Sequence, residues 1–145
     1  MPYVFVSSVI PAAADAVWSV IRDFNALPDW HPGIAASRIE DDRPSDAVGC
    51  VRNFQLTDGG TIREQLLSLD DPNRTCVYSI LESPLPISDY VAKLRLLPIT
   101  DSGQCYAEWS ATFACAETDR EAMVDTVGNG VFQGGFDALK PRFTA

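Results

Sequence analysis

The chain is poor in the residues that hold metals or nucleic acid. It has one histidine and four cysteines in 145 residues, and no two cysteines form a Cys-x-x-Cys pair. A zinc site is therefore not expected, because such sites need clustered thiolate or imidazole ligands. Eleven basic residues against twenty acidic ones give a net charge of −9. This balance argues against binding to nucleic acid or to an anionic membrane surface.

Long apolar runs and targeting signals are also missing. No apolar stretch approaches the ~20 residues of a membrane-spanning helix, and the N-terminus lacks a basic segment followed by an apolar one. The apolar fraction of 46% and the charged fraction of 21% are typical of a globular chain. We therefore expect one cytoplasmic domain over residues 1–145, without membrane insertion and without a cofactor. The sequence does not give its oligomeric state.

Alternation of apolar and polar residues predicts an all-antiparallel sheet. A strand over residues 3–10 precedes a helix over 12–24 and a turn or one-turn helix over 25–32. Turn residues in the later links imply a meander, in which consecutive strands pair. One apolar face of such a sheet must be covered, and a curved sheet around one helix tends to leave a cavity. Six further strands are predicted, at residues 34–41, 48–56, 61–69, 75–81, 89–97 and 104–114.

A long C-terminal helix, predicted over residues 119–143, is the natural cover. Thr118 and Glu121 fit a capping box at its start. Each interior glycine costs about 0.5–1 kcal/mol relative to alanine, so its four glycines indicate close approach to the sheet or room for a bound molecule. The alternative is a break near residues 128–130. The predicted inner face consists of Met123, Val127, Val131 and Ala138, helped by Leu139. The four glycines are Gly128, Gly130, Gly134 and Gly135.

Glu64 is the most informative residue, because it interrupts an apolar strand face shared with Ile62 and Leu66. A carboxylate on an inner face is costly unless it is paired or faces a wet cavity. Glu64 therefore indicates a ligand pocket; the alternative is that it lies on the solvent face. Arg52, on the preceding strand, pairs with Glu64 if both face inward. If both face outward, the pair is a surface pair worth ~0–1 kcal/mol.

His31 is the residue expected to titrate near neutral pH. It follows the first helices and is a candidate general acid or base at the pocket mouth; the alternative is an exposed loop histidine. Trp30 beside it is interpreted as a packing or pocket-rim residue, and Trp109 as a core residue. The cysteines all fall in predicted strands, so reduced, buried thiols are expected and disulfides are the open alternative. They are Cys50, Cys76, Cys105 and Cys115.

This order of elements resembles the helix-grip fold of the START-like (SRPBCC) superfamily, which includes aromatic polyketide cyclases, the birch-pollen major allergen and plant abscisic-acid receptors. Residues 48–52 and 63–66 resemble the strands around the receptors' gate loop, and residues 123–127 resemble the pocket face of their terminal helix. The resemblance is closest to the bacterial cyclase/dehydrase-like branch and to the receptors. It implies an α+β fold, in which a seven-stranded antiparallel curved sheet wraps a long C-terminal helix and two short helices follow the first strand.

The resemblance also implies a small hydrophobic or amphipathic ligand, of lipid, polyketide, aromatic or isoprenoid class, held between the sheet and the C-terminal helix. Loops at residues 58–60 and 83–86 are expected to control access. One alternative is a polyketide cyclase or dehydratase that uses Glu64 and Tyr90 for proton transfer, with His31 as a third candidate. Another is a ligand-dependent protein-interaction module. The expected ligand-binding residues are Trp30, Arg52, Phe54, Glu64, Tyr78, Ile80, Tyr90, Ala92, Met123, Val127 and Val131.

Overall fold

The computed structural model describes residues 1–143 and contains one seven-stranded antiparallel sheet, in the order β1-β7-β6-β5-β4-β3-β2. Each strand from β2 to β7 pairs with its neighbour in sequence, as the short polar links predict. The predicted helix-grip architecture is confirmed. The strands are β1 (Tyr3–Ile10), β2 (Ile34–Ile39), β3 (Val51–Leu56), β4 (Thr61–Asp70), β5 (Thr75–Glu82), β6 (Ser88–Pro98) and β7 (Cys105–Ala114).

Two short helices and one long helix complete the domain. Helices α1 (Ala14–Ile21) and α2 (Leu27–Trp30) connect β1 to β2. The long helix begins as α3 (Arg120–Asp125), continues as a π-helical segment (Thr126–Gln133), and ends in α4 (Gly134–Leu139). It does not break near residues 128–130, so the alternative of a broken helix is wrong. None of the helices within residues 1–143 is long and apolar enough to cross a membrane.

The π-helical segment changes which residues of the long helix face the core. A π turn holds more residues than an α turn and therefore shifts the phase of the side chains that follow. The sequence predicted that Val131, Ala138 and Leu139 continue the inner face. Leu139 is fully buried, but Val131 and Ala138 are half-buried, and the other fully buried side chains beyond Val131 are Phe132 and Phe136. The prediction is therefore confirmed for Leu139 and wrong for Ala138, and it missed Phe132 and Phe136 because the sequence pattern assumed a regular α period.

The start of the long helix also differs from the prediction. Neither Thr118 nor Glu121 makes the side-chain hydrogen bond of a capping box. A 3-10 turn over Glu117–Asp119 precedes α3, and its last residue takes the N-cap position. Thr118 thus lies within a helical turn, one residue too early to cap α3.

The core lies between the sheet and the long helix. Trp109 of β7 stacks on Phe132 with ring centroids 4.6 Å apart. The four cysteines are free thiols, but Cys50 and Cys115 lie just outside strands rather than within them. Burial raises the pKa of Cys76 and of Cys105 to about 11, so both remain protonated thiols at neutral pH.

Candidate ligand-binding cavity

A cavity of about 340 Å³ lies between the sheet and the π-helical segment of the long helix. Its mouth is bordered by the exposed Thr57 and Asp58, by Leu85 and by the exposed Gly130. The charged or titratable residues on its wall, apart from the tyrosines, are Asp58, His31, Arg52 and Glu64. Most of the wall is apolar or aromatic, and it includes Leu27, Ile34, Phe54, Leu56, Ile62, Tyr78, Ile80, Ile87, Tyr90, Trp109, Val127 and Val131.

Arg52 and Glu64 form an ion pair inside the protein. They occupy directly opposed positions of the β3–β4 hairpin, and their side chains are only 8% and 7% exposed. Arg52 Nε donates a hydrogen bond to Glu64 Oε1 at 2.8 Å, and Arg52 Nη2 lies 2.6 Å from the same oxygen. The pair therefore faces inward, and the alternatives of a surface pair and a solvent-facing Glu64 are wrong.

Further contacts fix the guanidinium of Arg52. Its Nη1 donates to the carbonyl oxygen of Phe24 at 3.2 Å. The guanidinium carbon lies 3.9 Å from the centre of the Phe24 ring and 4.8 Å from that of Tyr78, which are distances at which a cation attracts an aromatic face. Arg52 is thus held in one orientation by a carboxylate, a carbonyl and two rings.

The carboxylate of Glu64 has one oxygen available to the cavity. Burial raises the pKa of Glu64 above its ordinary value, and the Arg52 guanidinium opposes that rise. Both contacts with Arg52 use Oε1, and within residues 1–143 no protein donor reaches Oε2. A molecule in the cavity can therefore hydrogen-bond to Oε2 or exchange a proton with it.

Two tyrosines form the neighbouring wall. The indole Nε1–H of Trp109 donates to the hydroxyl oxygen of Tyr78 at 3.0 Å. Because an indole N–H only donates, the hydroxyl proton of Tyr78 is left for another acceptor. Tyr90 packs beside Tyr78, with ring centroids 6.3 Å apart and the ring planes tilted by 42°. Burial raises the pKa of both phenols well above the ordinary value, and the charge of Glu64 adds to the rise. Both tyrosines are therefore neutral hydrogen-bonding groups at pH 7.

His31 is buried and has both ring nitrogens engaged. The backbone N–H of Gly33 donates to Nδ1 at 3.1 Å, so the ring proton lies on Nε2, which contacts the carbonyl oxygen of Val131 at 2.8 Å. Burial lowers the pKa of His31, and the charge of Arg52 lowers it further. The alternative of an exposed loop histidine is wrong. His31 ties the α2–β2 loop to the long helix, and its role as an acid or base stays a prediction.

This neutral histidine predicts a pH dependence of stability. The unfolded chain takes up a proton at His31 near pH 6.5, whereas the folded protein resists it because the native pKa is lowered. The free energy of unfolding is therefore expected to be unaffected by His31 above pH 7 and to fall as the pH drops below about 6.5, by at most ~1.4 kcal/mol per pH unit. Urea unfolding at a series of pH values measures this slope.

A His31→Gln variant is the control for the pH series. The chain has one histidine, so the variant should lose the slope between about pH 5 and 6.5, while losses at lower pH that come from paired carboxylates remain. A wild-type protein whose stability rises as the pH falls through this window would contradict the assignment of a neutral, buried imidazole.

The structure brings most of the expected ligand-binding residues to the cavity and leaves three elsewhere. Trp30 packs behind His31, against Trp109 with ring centroids 5.9 Å apart. Ala92 is buried opposite Tyr78, whose larger side chain forms the wall. Met123 lies in α3, whereas the cavity reaches the helix only from Thr126 onward. On the wall are Arg52, Phe54, Glu64, Tyr78, Ile80, Tyr90, Val127 and Val131, and their binding of a ligand stays a prediction.

Sequence reasoning missed several wall residues. Leu56 shares a strand face with Phe54 and Arg52, so its alternation is a signal that points to it. Leu27 and Gly33 lie in irregular segments, where no periodic pattern marks the side that faces inward. Thr126 and Gly130 reach the cavity through the π-helical segment, which the sequence does not reveal.

Comparison with known proteins agrees with this fold. The model of the family described as polyketide cyclase/dehydrase and lipid transport matches residues 1–144. The solved structure of XoxI from Bacillus cereus is 31% identical, with 99% of this chain and 96% of that one covered and a TM-score of 0.88. A protein from Thermobifida fusca is 30% identical, with 99% and 93% covered and a TM-score of 0.88. The chain therefore belongs to the polyketide cyclase/dehydrase and lipid transport family, within the SRPBCC superfamily.

A more distant likeness shows the same fold in a plant protein. Norcoclaurine synthase from Thalictrum flavum, solved with dopamine and hydroxybenzaldehyde, is 18% identical, with 97% of this chain and 85% of that one covered and a TM-score of 0.76. At this identity the likeness concerns the fold alone. A search of the curated proteins gave no match.

Proposed function

We propose that the protein binds a small hydrophobic or amphipathic molecule whose polar group contacts Arg52 and Glu64. The observation that carries this proposal is a buried ion pair on the wall of an otherwise mainly apolar cavity of about 340 Å³. A few convergent polar groups in an apolar cleft are the usual composition of a small-molecule site. Apolar walls supply affinity, roughly 25 cal/mol for each Å² buried before the cost of immobilising the ligand.

The ion pair is better explained by a ligand than by stability. Replacing a buried salt bridge with apolar residues is often neutral or stabilising, so such a pair is weak support for the fold. Glu64 Oε2 offers an acceptor, and the guanidinium of Arg52 has N–H groups beyond those that contact Phe24 and Glu64. A hydroxyl or carbonyl group on the ligand matches these positions.

The size of the cavity favours a compact ligand. Its volume lies near the lower end of the usual range of about 300–1,000 Å³. A molecule of one or two rings fits this space better than a long acyl chain does. Norcoclaurine synthase, which shares the fold, has been solved with two compounds of this kind, dopamine and hydroxybenzaldehyde.

A proton-transfer enzyme is the second candidate, and one observation favours it. Glu64, with a raised pKa and with its Arg52 contacts confined to Oε1, lies on the same wall as the neutral phenol of Tyr90. A carboxylate that takes a proton and a phenol that hydrogen-bonds a carbonyl oxygen are the groups that an aldol cyclisation or dehydration of a polyketide-like substrate needs.

Glu64→Gln tests the proposed function. We first identify the small molecule retained by protein purified from its own cells, using native mass spectrometry, and then measure its affinity for both forms. The amide keeps the shape of the side chain but removes its charge, so the affinity should fall by about tenfold. If the molecule is instead a substrate, its turnover should be nearly abolished while part of the binding remains.

Glu82→Gln is the matched control. Glu82 also pairs with an arginine, Arg63, but its side chain is 68% exposed and lies outside the cavity. The affinity of the Glu82→Gln variant for the same molecule should equal that of the wild type. A retained molecule that binds Glu64→Gln as tightly as the wild type would contradict the role given to the ion pair.

A further inference from the structure

The β1 strand forms an unprotected edge of the sheet. It pairs only with β7, over eight residues and without a register shift. Its sequence, YVFVSSVI, carries no charge and no proline. Sheet edges are normally blocked by charged side chains, prolines or bulges, because unpaired backbone groups attract other strands. The opposite edge, β2, has such protection, since its register shifts between Ile34 and Ala36 and it contains Arg38.

The register identifies which backbone groups of β1 are unpaired. The N–H of Phe113 donates to the carbonyl oxygen of Pro2 at 3.3 Å, so Pro2 and Phe113 are a hydrogen-bonded pair. Such pairs alternate along an antiparallel ladder. The even-numbered residues of β1 therefore bond to β7. The N–H and C=O groups that point to the free edge belong to Tyr3, Phe5, Ser7 and Val9.

A groove of about 1,110 Å³ runs along this edge, between β1 and the first half of the long helix. The charged residues on its wall are Glu117, Arg120, Glu121 and Asp125, which leave an excess of negative charge. The helix contacts the strand closely at one end, where a Cβ on Gly128 would lie 3.2 Å from Val4 Cγ1.

The face of β1 opposite Val4 and Val6 carries two aromatic side chains. Tyr3 and Phe5 are 63% and 47% exposed, and their rings stack with centroids 6.5 Å apart. An added strand points alternate side chains to the two faces. Residues opposite Val4 and Val6 would enter the acidic groove, and those opposite Tyr3 and Phe5 would lie against the rings.

We propose that β1 and this groove bind an extended segment of a partner protein, in which lysine or arginine alternates with apolar or aromatic residues. The segment adds a strand to the sheet, and its main-chain hydrogen bonds supply affinity. The acidic groove and the two aromatic rings receive alternate side chains of the segment and supply selectivity. A second copy of the chain fits less well, because each copy has a net charge of −9 and an acidic groove. This surface is separate from the cavity, so the inference does not depend on the proposed function.

The probe is a fluorescent peptide as long as β1 that alternates lysine with valine, and its binding is followed by anisotropy. Ser7→Pro removes one outward N–H without removing a bond to β7, and proline is tolerated on an edge strand in this position. Ser7→Ala keeps the N–H and is the matched control. We expect the peptide to bind the wild type and Ser7→Ala alike, and Ser7→Pro about tenfold more weakly.

Two further measurements keep the inference testable if Ser7→Pro fails to fold. Glu121→Lys, at an exposed position on the groove, should weaken binding severalfold at low salt and less at high salt, and a peptide with glutamate in place of lysine should not bind. Equal binding of the two peptides, or no effect of either variant, would overturn the proposal. So would sedimentation of the wild type as a dimer that Ser7→Pro dissociates, since that result assigns the edge to a second copy.

Discussion

Glu64→Leu is expected to lower the free energy of unfolding by about 3–5 kcal/mol. The substitution leaves the guanidinium of Arg52 buried between the rings of Phe24 and Tyr78, with a single carbonyl oxygen as its acceptor. A buried charge without its partner keeps the full cost of its lost hydration. Urea unfolding at neutral pH, with the slope of the denaturant dependence checked against the wild type, measures the loss.

The double variant Arg52→Met/Glu64→Leu separates the cost of burying an unpaired Arg52 from the net contribution of the ion pair to stability. It should recover most of the lost stability, because apolar residues of similar volume replace a buried pair at little cost. Glu82→Leu, at the exposed pair with Arg63, should change stability by no more than about 0.5 kcal/mol. A loss below about 1 kcal/mol in Glu64→Leu would show that water reaches the pair freely.

Gly135→Ala is expected to destabilise the protein by about 1–3 kcal/mol. The new Cβ would lie 3.0 Å from His31 Cδ2, 3.0 Å from Trp109 Cζ3 and 3.1 Å from Trp30 Cζ3. These rings are buried, so none of them moves aside without disturbing the others. The crowding therefore outweighs the ~0.5–1 kcal/mol that alanine gains over glycine within a helix. Thermal and urea unfolding both report the change.

Gly130→Ala is the matched control in the same helix. A Cβ there would have no atom within 4 Å beyond its chain neighbours and the adjacent backbone of its own helix, so helix propensity acts alone and the variant should gain up to about 1 kcal/mol. The two substitutions are thus expected to have opposite signs. If both variants changed the free energy of unfolding in the same direction, the rings of His31, Trp109 and Trp30 around Gly135 would have to move at little energetic cost.

The sheet and the ion pair could be predicted from the sequence because both follow a period of two. Glu64 interrupts an apolar face between Ile62 and Leu66, and Arg52 lies across one short turn from it. A one-residue error in the register of either strand would have placed its charge on the solvent face, so the prediction of an inward pair depends on assigning the alternating faces of both strands correctly. The apolar neighbours of Glu64 decide that assignment for β4.

The π-helical segment and its consequences could not be predicted. A glycine-rich stretch is compatible with an α-helix, a break or a wider turn, and local propensity does not choose among them. Within the wider turn, Val131 lies on the cavity wall and the next residue, Phe132, is fully buried in the core. The turn also contains the Val131 carbonyl that contacts His31, a residue one hundred positions earlier. The burial of His31 therefore rests on a long-range contact that leaves no local pattern.

The β3–β4 hairpin couples the entrance of the cavity to its chemistry. The turn that joins the two strands provides Thr57 and Asp58 to the mouth, and the pairing that it closes sets Arg52 opposite Glu64. An insertion or deletion here that slipped one of the two strands by one residue would turn its charge outward and leave the other charge buried without a partner. Evolutionary change in ligand preference should accordingly proceed by substitution on the apolar walls, with the length of this turn held constant.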